Sequence, residues 1–314
     1  MTVNMPTISV VVPLYNHEKY IHSTIESILE QEFGPSEIII VNDGSTDGSG
    51  RIVAEILQRH PDIVFWSQSN QGAYQAINAG IHRATGDIVA ILNSDDCYHP
   101  QRLKRCAQVL AASPEITAVT TALDFMDAKG KKIKNRWYEQ NRSFFDKEGD
   151  LPLALMNGNF FMTTSNIVVR RSVFQDIGYF APLRYVHDLD FFLRLLVHGK
   201  NIHMIGDPLL SYRMHAKNTI LEEHINVRAE WAFACARFIV AAQRLPEWRE
   251  KGWAYVERFN RIMEKHSLTR LLNLFLVFFA RQPSTDGDID RFDRDPEFIK
   301  LISKKPLTVN GERL

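Results

Sequence analysis

The chain is poor in cysteine: Cys97, Cys106 and Cys235 are the only three in 314 residues. They are too few and too scattered to staple a disulfide scaffold or to build a Cys-rich zinc cluster, which suits a reducing compartment and three buried small side chains. An excess of one charge is also missing, since Lys and Arg number 37 against 37 Asp and Glu. That balance leaves no broad electrostatic footprint, so nucleic acid is not an expected partner and an anionic membrane surface is not the expected main one. No apolar run approaches the roughly 20 residues that span a bilayer. The nearest, LTRLLNLFLVFFARQ from Leu268 to Gln282, is interrupted by Arg270 and Asn273. It reads as a buried terminal helix, with a helix lying in the membrane interface as the alternative. The opening MTVNMPTISVVVPLYN lacks the basic start and small-residue cleavage site of a signal peptide, so the expected location is cytoplasmic, with peripheral contact at the inner face of the membrane as the alternative. The first loop, PLYN, lacks a Gly-rich dinucleotide fingerprint, and no GxxxxGK[ST] occurs. A nicotinamide dehydrogenase and a P-loop ATPase are therefore disfavoured.

What the sequence does contain is regular alternation. ISVVVP, EIIIV, IVFWSQ and DIVAIL read as strands, and YIHSTIESILEQ, GRIVAEILQRH, AYQAINAGIHRA and QRLKRCAQVLAAS read as the helices between and after them. The spacing of Ile21, Ile25, Ile28 and Leu29 is helical, whereas EIIIV and DIVAIL are continuous, as in strands covered on both faces. Such βαβα alternation predicts a mostly parallel, doubly wound sheet whose ligands sit at the carboxyl ends of its strands. The polar segments PLYNHE, NDGSTDGS, SNQG and NSDD follow the four strands in turn. Beyond residue 123, LDFMDAKGKKIKNR predicts a hairpin turning near Asp127 to Gly130, SNIVVRRSVF a strand running into a helix, and HDLDFFLRLLVHG a helix with Asp188 near its start. The stretch Trp137 to Phe161 reads as loop. The chain is then helical to about Arg281, ahead of an acidic tail from Ser284 to Phe298.

Asp95 and Asp96 are the awkward pair. At about 4 Å and an effective dielectric near 20, two unit charges repel by roughly 4 kcal/mol, and no Lys or Arg follows until Arg102. A hard divalent cation, Mg²⁺ or Mn²⁺, is the expected compensation, because such ions take oxygen ligands and bridge phosphates. Neighbours on extended backbone point oppositely, so one aspartate is expected to ligate and the other to face the helix that follows. Read alone, the pair equally makes a turn before the Pro100 helix, and VNDGSTDGSG alone is ordinary turn and cap material. Its place after the second strand suggests that Asp43 accepts a hydrogen bond from a nucleotide base.

Together, ISVVVPLYNHEKYIHSTIESIL, IIIVNDGSTDGS, NQGAYQAINAGIHRATGDIVAILNSDD and SNIVVRRSVFQDIGYFAPLRYVHDLDFFLRL closely resemble glycosyltransferase family 2, over about residues 7–216. The resemblance implies the Rossmann-like α/β GT-A fold, with a mostly parallel central sheet flanked by helices. It implies a catalytic domain at 1–216, with a nucleotide-binding half at about 1–122 and an acceptor-binding half at about 123–216, followed by a helical extension at 217–314. It further implies a nucleotide-sugar donor, taken here as a UDP-sugar, a Mn²⁺ or Mg²⁺ cofactor, and transfer with inversion to a glycan or lipid-linked saccharide acceptor, as in surface polysaccharide biosynthesis. On that template Asp43 contacts the base, and Pro13, Tyr15, Asn16, Glu18, Asn78, Asn93 and Ser94 border the nucleotide. Asp95 and His215 hold the metal, and Asp188 is the general base that takes the proton of the acceptor hydroxyl. The chain departs from the family pattern at Asn42, Asn93 and His187, where acids are usual, and at Ile77, where many relatives carry an arginine. Two alternatives stay open: a nucleotide-sugar binding protein without turnover, and a sugar-1-phosphate nucleotidyltransferase. For Asp188 itself the alternative is a helix N-cap.

Overall fold

The computed structural model describes residues 5–218 and 224–281, with the backbone of a short strand pair at Thr308–Val309 and Glu312–Arg313. The acidic stretch Ser284 to Phe298 lies outside the described residues. Along the chain come β1 (Ile8–Leu14), α1 (Ile21–Leu29), β2 (Glu37–Asn42), α2 (Ser49–Leu57), β3 (Val64–Ser67), α3 (Ala73–Arg83), β4 (Ile88–Ile91), β5 (Cys97–Tyr98) and α4 (Arg102–Ala112). There follow β6 (Ile116–Asp127), β7 (Lys132–Ile133), α5 (Arg136–Glu148), α6 (Leu151–Asn157), β8 (Val168–Arg170), α7 (Val173–Ile177), α8 (His187–Val197) and β9 (Asn201–Met214). Four helices close the described chain: α9 (His224–Ala242), α10 (Pro246–Arg249), α11 (Gly252–Lys265) and α12 (Thr269–Arg281).

Two compact units interleave along the sequence. The first takes Met1–Gln140, Phe161–Phe180 and His198–Lys217, and the second takes Asn141–Phe160, Ala181–Val197 and Asn218–Leu314. The sequence expectation set one boundary after residue 216, whereas the units share the stretch that precedes it. The expected loop from Trp137 to Phe161 is also largely helical. α6 begins where the Asp150 side chain accepts the Leu153 N–H, with Pro152 in its first turn, a strong local start signal.

The first unit holds a nine-stranded sheet in the order β3-β2-β1-β4-β8-β6-β9-β5, with β7 paired to β6. β1, β2, β3 and β4 run parallel; β8 enters antiparallel between β4 and β6. Every residue of β1 is buried, and α1 buries Ile21, Thr24, Ile25 and Ile28 at helical spacing. α3 meets β1 where Gly80 leaves no room for a side chain, since a Cβ there would lie 2.3 Å from Val11 Cγ1. Arg102 of α4 is wholly buried and donates to Thr121 Oγ1, the Ser165 carbonyl and Asn166 Oδ1, tying three segments behind the sheet. The predicted hairpin is β6–β7, turning at Asp127–Gly130.

In the second unit α12 turns its apolar stripe inward. Leu268, Leu271, Leu272, Phe275 and Phe279 are buried, and Phe233 of α9 meets the rings of Phe275 and Phe279. This stripe is occupied within the protein, and no described helix is long and apolar enough to cross a membrane.

Candidate active site

The carboxyl ends of β1 and β2 are laced together by the polar residues that follow them. Asn16 takes a left-handed backbone (φ 52°), a conformation asparagine tolerates. Its Oδ1 accepts the Thr46 N–H at 2.7 Å and its N–H donates to Ser45 Oγ. His17 N–H donates to Ser49 Oγ, and Glu18 Oε2 accepts the Gly48 N–H at 2.8 Å. Pro13 is buried within β1, in register with Val41, whereas Tyr15 is 46% exposed. Asp43 is almost fully buried and accepts from the Gln71 and Gly72 N–H groups and the Gln68 side chain. Its carboxylate therefore shapes the loop after β3. Asn78 similarly exchanges two hydrogen bonds with the Phe180 backbone, which engages both ends of its amide.

The NSDD turn after β4 is the densest polar knot. Asn93 donates to Thr163 Oγ1 and accepts from Thr164 Oγ1, each at 2.9 Å, so it holds the turn leading into β8. Ser94 Oγ lies 2.8 Å from His17 Nδ1. Asp95 and Asp96 lie in a turn, where the Asp96 N–H donates to the Asn93 carbonyl, so strand alternation does not apply, and the Asp96 partners lie elsewhere than on α4. Asp96 Oδ2 accepts from Ser165 Oγ at 2.6 Å and its Oδ1 from the Arg213 N–H at 2.9 Å. Arg213, at the end of β9, donates Nε–H to the Asp95 carbonyl and lies over the Tyr20 ring. It is a nearby cation that the local sequence conceals, being more than a hundred residues away.

The two carboxyls divide their charge. Burial, and then the charge of Asp95, push Asp96 well above the ordinary carboxylate range, against the hydrogen bonds of Ser165 and Arg213. Burial pushes Asp95 up as well, but its hydrogen bond from His215 and the nearby imidazoles of His17 and His215 hold it below its ordinary value. The two carboxyls are thus pushed apart, Asp95 favouring its charged form and Asp96 disfavouring it.

Asp95 Oδ2 stands 3.0 Å from His215 Nε2 and 3.9 Å from His17 Nε2. One donor atom from each of the three residues lies within 4.8 Å of the others. Two imidazoles and a carboxylate gathered in this way could hold a divalent transition metal. Burial lowers the His17 pKa, with Asp95 opposing, and a neutral imidazole is the form that ligates. Tyr20 stacks on His215 at 5.0 Å, fixing one ring of the cluster. The sequence reading found Asp95 and His215 and missed His17, although it lies inside the quoted PLYNHE loop at the right strand end.

In the second unit, Asp188 sits in the first turn of α8, 7% exposed. Its Oδ1 accepts the Leu189 N–H and its Oδ2 the Asn159 amide at 2.9 Å. Burial raises its pKa, against the pull of His187, Leu189 and Asn159. Asp190 has other partners: Arg194 Nε at 2.8 Å and Arg237 Nη1 of α9 at 3.0 Å. Glu230 of α9 accepts the N–H groups of Arg184, Tyr185 and Val186, tethering the strand of chain that enters α8.

The sequence profile described as "Glycosyl transferase family 2" matches residues 9–178, more than half of the chain. The chain belongs to glycosyltransferase family 2. Among its relatives, an uncharacterized glycosyltransferase of Nostoc is 32% identical over 213 residues, covering 67% of this chain and 66% of its own. The putative glycosyltransferase EpsH of Bacillus subtilis is 28% identical, covering 78% and 73%. A chondroitin synthase of Escherichia coli is 29% identical over 70% of this chain but only 30% of its own length. The chain thus spans about two thirds of the first relative and less than a third of that synthase. In structure, S. aureus TarS 1–349, solved in complex with UDP-GlcNAc, superposes with a TM-score of 0.61 at 19% identity over 94% of this chain and 79% of that one. At that identity the likeness establishes the fold, which is GT-A.

Proposed function

We propose that this glycosyltransferase moves a sugar with inversion from a UDP-sugar to a hydroxyl of a glycan or lipid-linked saccharide, in a metal-dependent reaction of surface polysaccharide assembly. The observation that carries the reading is the convergence of His17, Asp95 and His215 beyond the carboxyl ends of parallel strands, where ligands of such sheets bind. A saccharide-polymerising relative and a UDP-GlcNAc complex of a protein of the same fold support the substrate class. His17, Asp95 and His215 would hold the ion, whose chemistry is to neutralise charge gathering on the departing diphosphate. The two imidazoles favour Mn²⁺ over Mg²⁺, which prefers an all-oxygen shell.

The side chains supply the rest. The laced loops after β1 and β2, with Tyr15 exposed beside them, border the nucleotide. Asp188 takes the proton of the attacking hydroxyl, and its burial suits that role by raising its basicity. Titration calorimetry tests the reading: UDP is expected to bind much more tightly in Mn²⁺ than in EDTA, and Asp95→Ala to erase the difference. Equal affinities in the two buffers would remove the metal from the mechanism. Hydrolysis of UDP-sugars separates an enzyme from a binding protein without turnover.

A further inference from the structure

Asn159 offers an unexplained atom. It follows α6 directly, between Gly158 and Phe160, and both neighbours are locked. A Cβ on Gly158 would collide with the Asn141 side chain at 2.3 Å, and Phe160 is fully buried, stacked on Phe145. Asn141 is itself bonded to the Asn157 amide, whose oxygen takes the Lys265 ammonium. The backbone that presents Asn159 is therefore rigid.

Its amide has one partner on one side alone. Nδ2 donates to Asp188 Oδ2 at 2.9 Å, while Oδ1 is buried and meets no donor among the described residues. The assignment of nitrogen and oxygen is fixed by chemistry, because a carboxylate only accepts and so must face the NH₂ group. Buried polar atoms are nearly always paired, so an acceptor left open beside a carboxylate marks a place for a donor from outside the chain. Sugar hydroxyls are such donors.

We infer that Asn159 is a positioning and specificity residue for the acceptor sugar: its NH₂ holds the Asp188 carboxylate in place, and its Oδ1 accepts a second hydroxyl adjacent to the one that reacts. The ligand class is a pyranose presenting two neighbouring hydroxyls, one to each group. This deepens the proposed function and rests on Asp188 acting as the base. It also supplies what the carboxylate alone lacks, a reason for one hydroxyl of a ring to be chosen over the next.

The test uses the full chain with ¹³C-labelled aspartate and ¹⁵N-labelled asparagine, the Asp188 and Asn159 signals being assigned by difference from Asp188→Asn and Asn159→Ala. Loss of a hydrogen bond to the charged form is expected to move the Asp188 titration upward by about one pH unit in Asn159→Ala. Asn159→Ser, which restores a short donor, should recover part of the shift at unchanged melting temperature. A panel of methyl pyranosides is then titrated. Those with an intact diol should shift the Asn159 amide and Asp188 carboxyl signals together, and their monodeoxy counterparts should bind about three- to tenfold more weakly, the scale of one neutral hydrogen bond. An Asp188 titration unmoved by Asn159→Ala overturns the positioning role. Failure of every pyranoside to shift the Asn159 amide, or equal binding of diol and monodeoxy sugars, overturns the specificity role. The base assignment fails on a different result, sugar transfer by Asp188→Asn at the native rate.

Discussion

Asp190→Asn is the substitution whose consequence the structure fixes most tightly. Asp190 is 1% exposed and its two oxygens serve two guanidiniums, Arg194 on the same helix and Arg237 on α9. Burial opposes its charge, yet Arg237 and Arg194 outweigh it and hold the carboxyl below its ordinary value. The asparagine amide keeps one acceptor and removes the charge, leaving both arginines uncompensated. Breaking a buried pair from one side costs about 3–5 kcal/mol, and the retained acceptor places this case near 3. Spread over the unfolding entropy of a chain of 314 residues, that is a melting shift of about 5 °C. Because the folded pKa is depressed, the contribution is complete above the unfolded value near 4 and fades as pH falls through the lower folded value. The difference between wild type and Asp190→Asn, read by scanning calorimetry, should therefore be largest near pH 7 and shrink toward pH 3. Asp188→Asn should behave oppositely. Its folded pKa is raised, so the charged carboxylate weighs against folding above pH 4, and the variant should melt at or above wild type at pH 7. It should nonetheless lose transfer by 10²-fold or more, the scale of a missing general base, while Asp190→Asn keeps most of its rate at low temperature. Wild-type melting by Asp190→Asn at pH 7 would refute the ion-pair reasoning, and normal transfer by Asp188→Asn would refute the role of its neighbour.

Three further outcomes are expected. Glu230→Ala releases the N–H groups ahead of α8 and should cost about 1–2 kcal/mol, the range of a lost helix cap, with a fall in transfer but unchanged UDP affinity. Gly80→Ala drives a methyl into Val11 and should lower stability by roughly 1–3 kcal/mol, measured by urea unfolding. In liposome flotation the protein should stay in the soluble fraction even with anionic lipid, since the apolar face of α12 is already covered by α9.

The parallel half of the sheet was legible because its signals are local: continuous β-branched strands, helical spacing in α1, and polar residues after each strand. Asp95 could be picked out from the NSDD motif as a member of the His17–Asp95–His215 cluster. What the sequence concealed depends on distance. Arg213 binds the Asp95–Asp96 turn from the far end of β9, which no window around residue 95 contains, and its charge favours the ionised form of Asp96. Asn78 carries no mark of its bond to Phe180. α5 was missed because RWYEQNRSFFDKE is mostly polar and its few apolar residues do not advertise a face. His17 was hidden in plain view, its role depending on a partner 198 positions on.

The second unit enters the sequence three times, and this bears on how such enzymes can be recombined. Exchanging only the residues after 217 for those of a relative would import a new α9 beneath an old α8. A relative without Arg237 and Glu230 would remove both contacts at once, leaving Asp190 with Arg194 as its remaining ion-pair partner and the chain ahead of α8 without the Glu230 tether. A chimera meant to exchange the second unit has to carry 141–160 and 181–197 along with the C-terminal helices. The seams of a workable graft are thus five, each at a crossing between units, and the family profile that stops at residue 178 reaches none beyond the second.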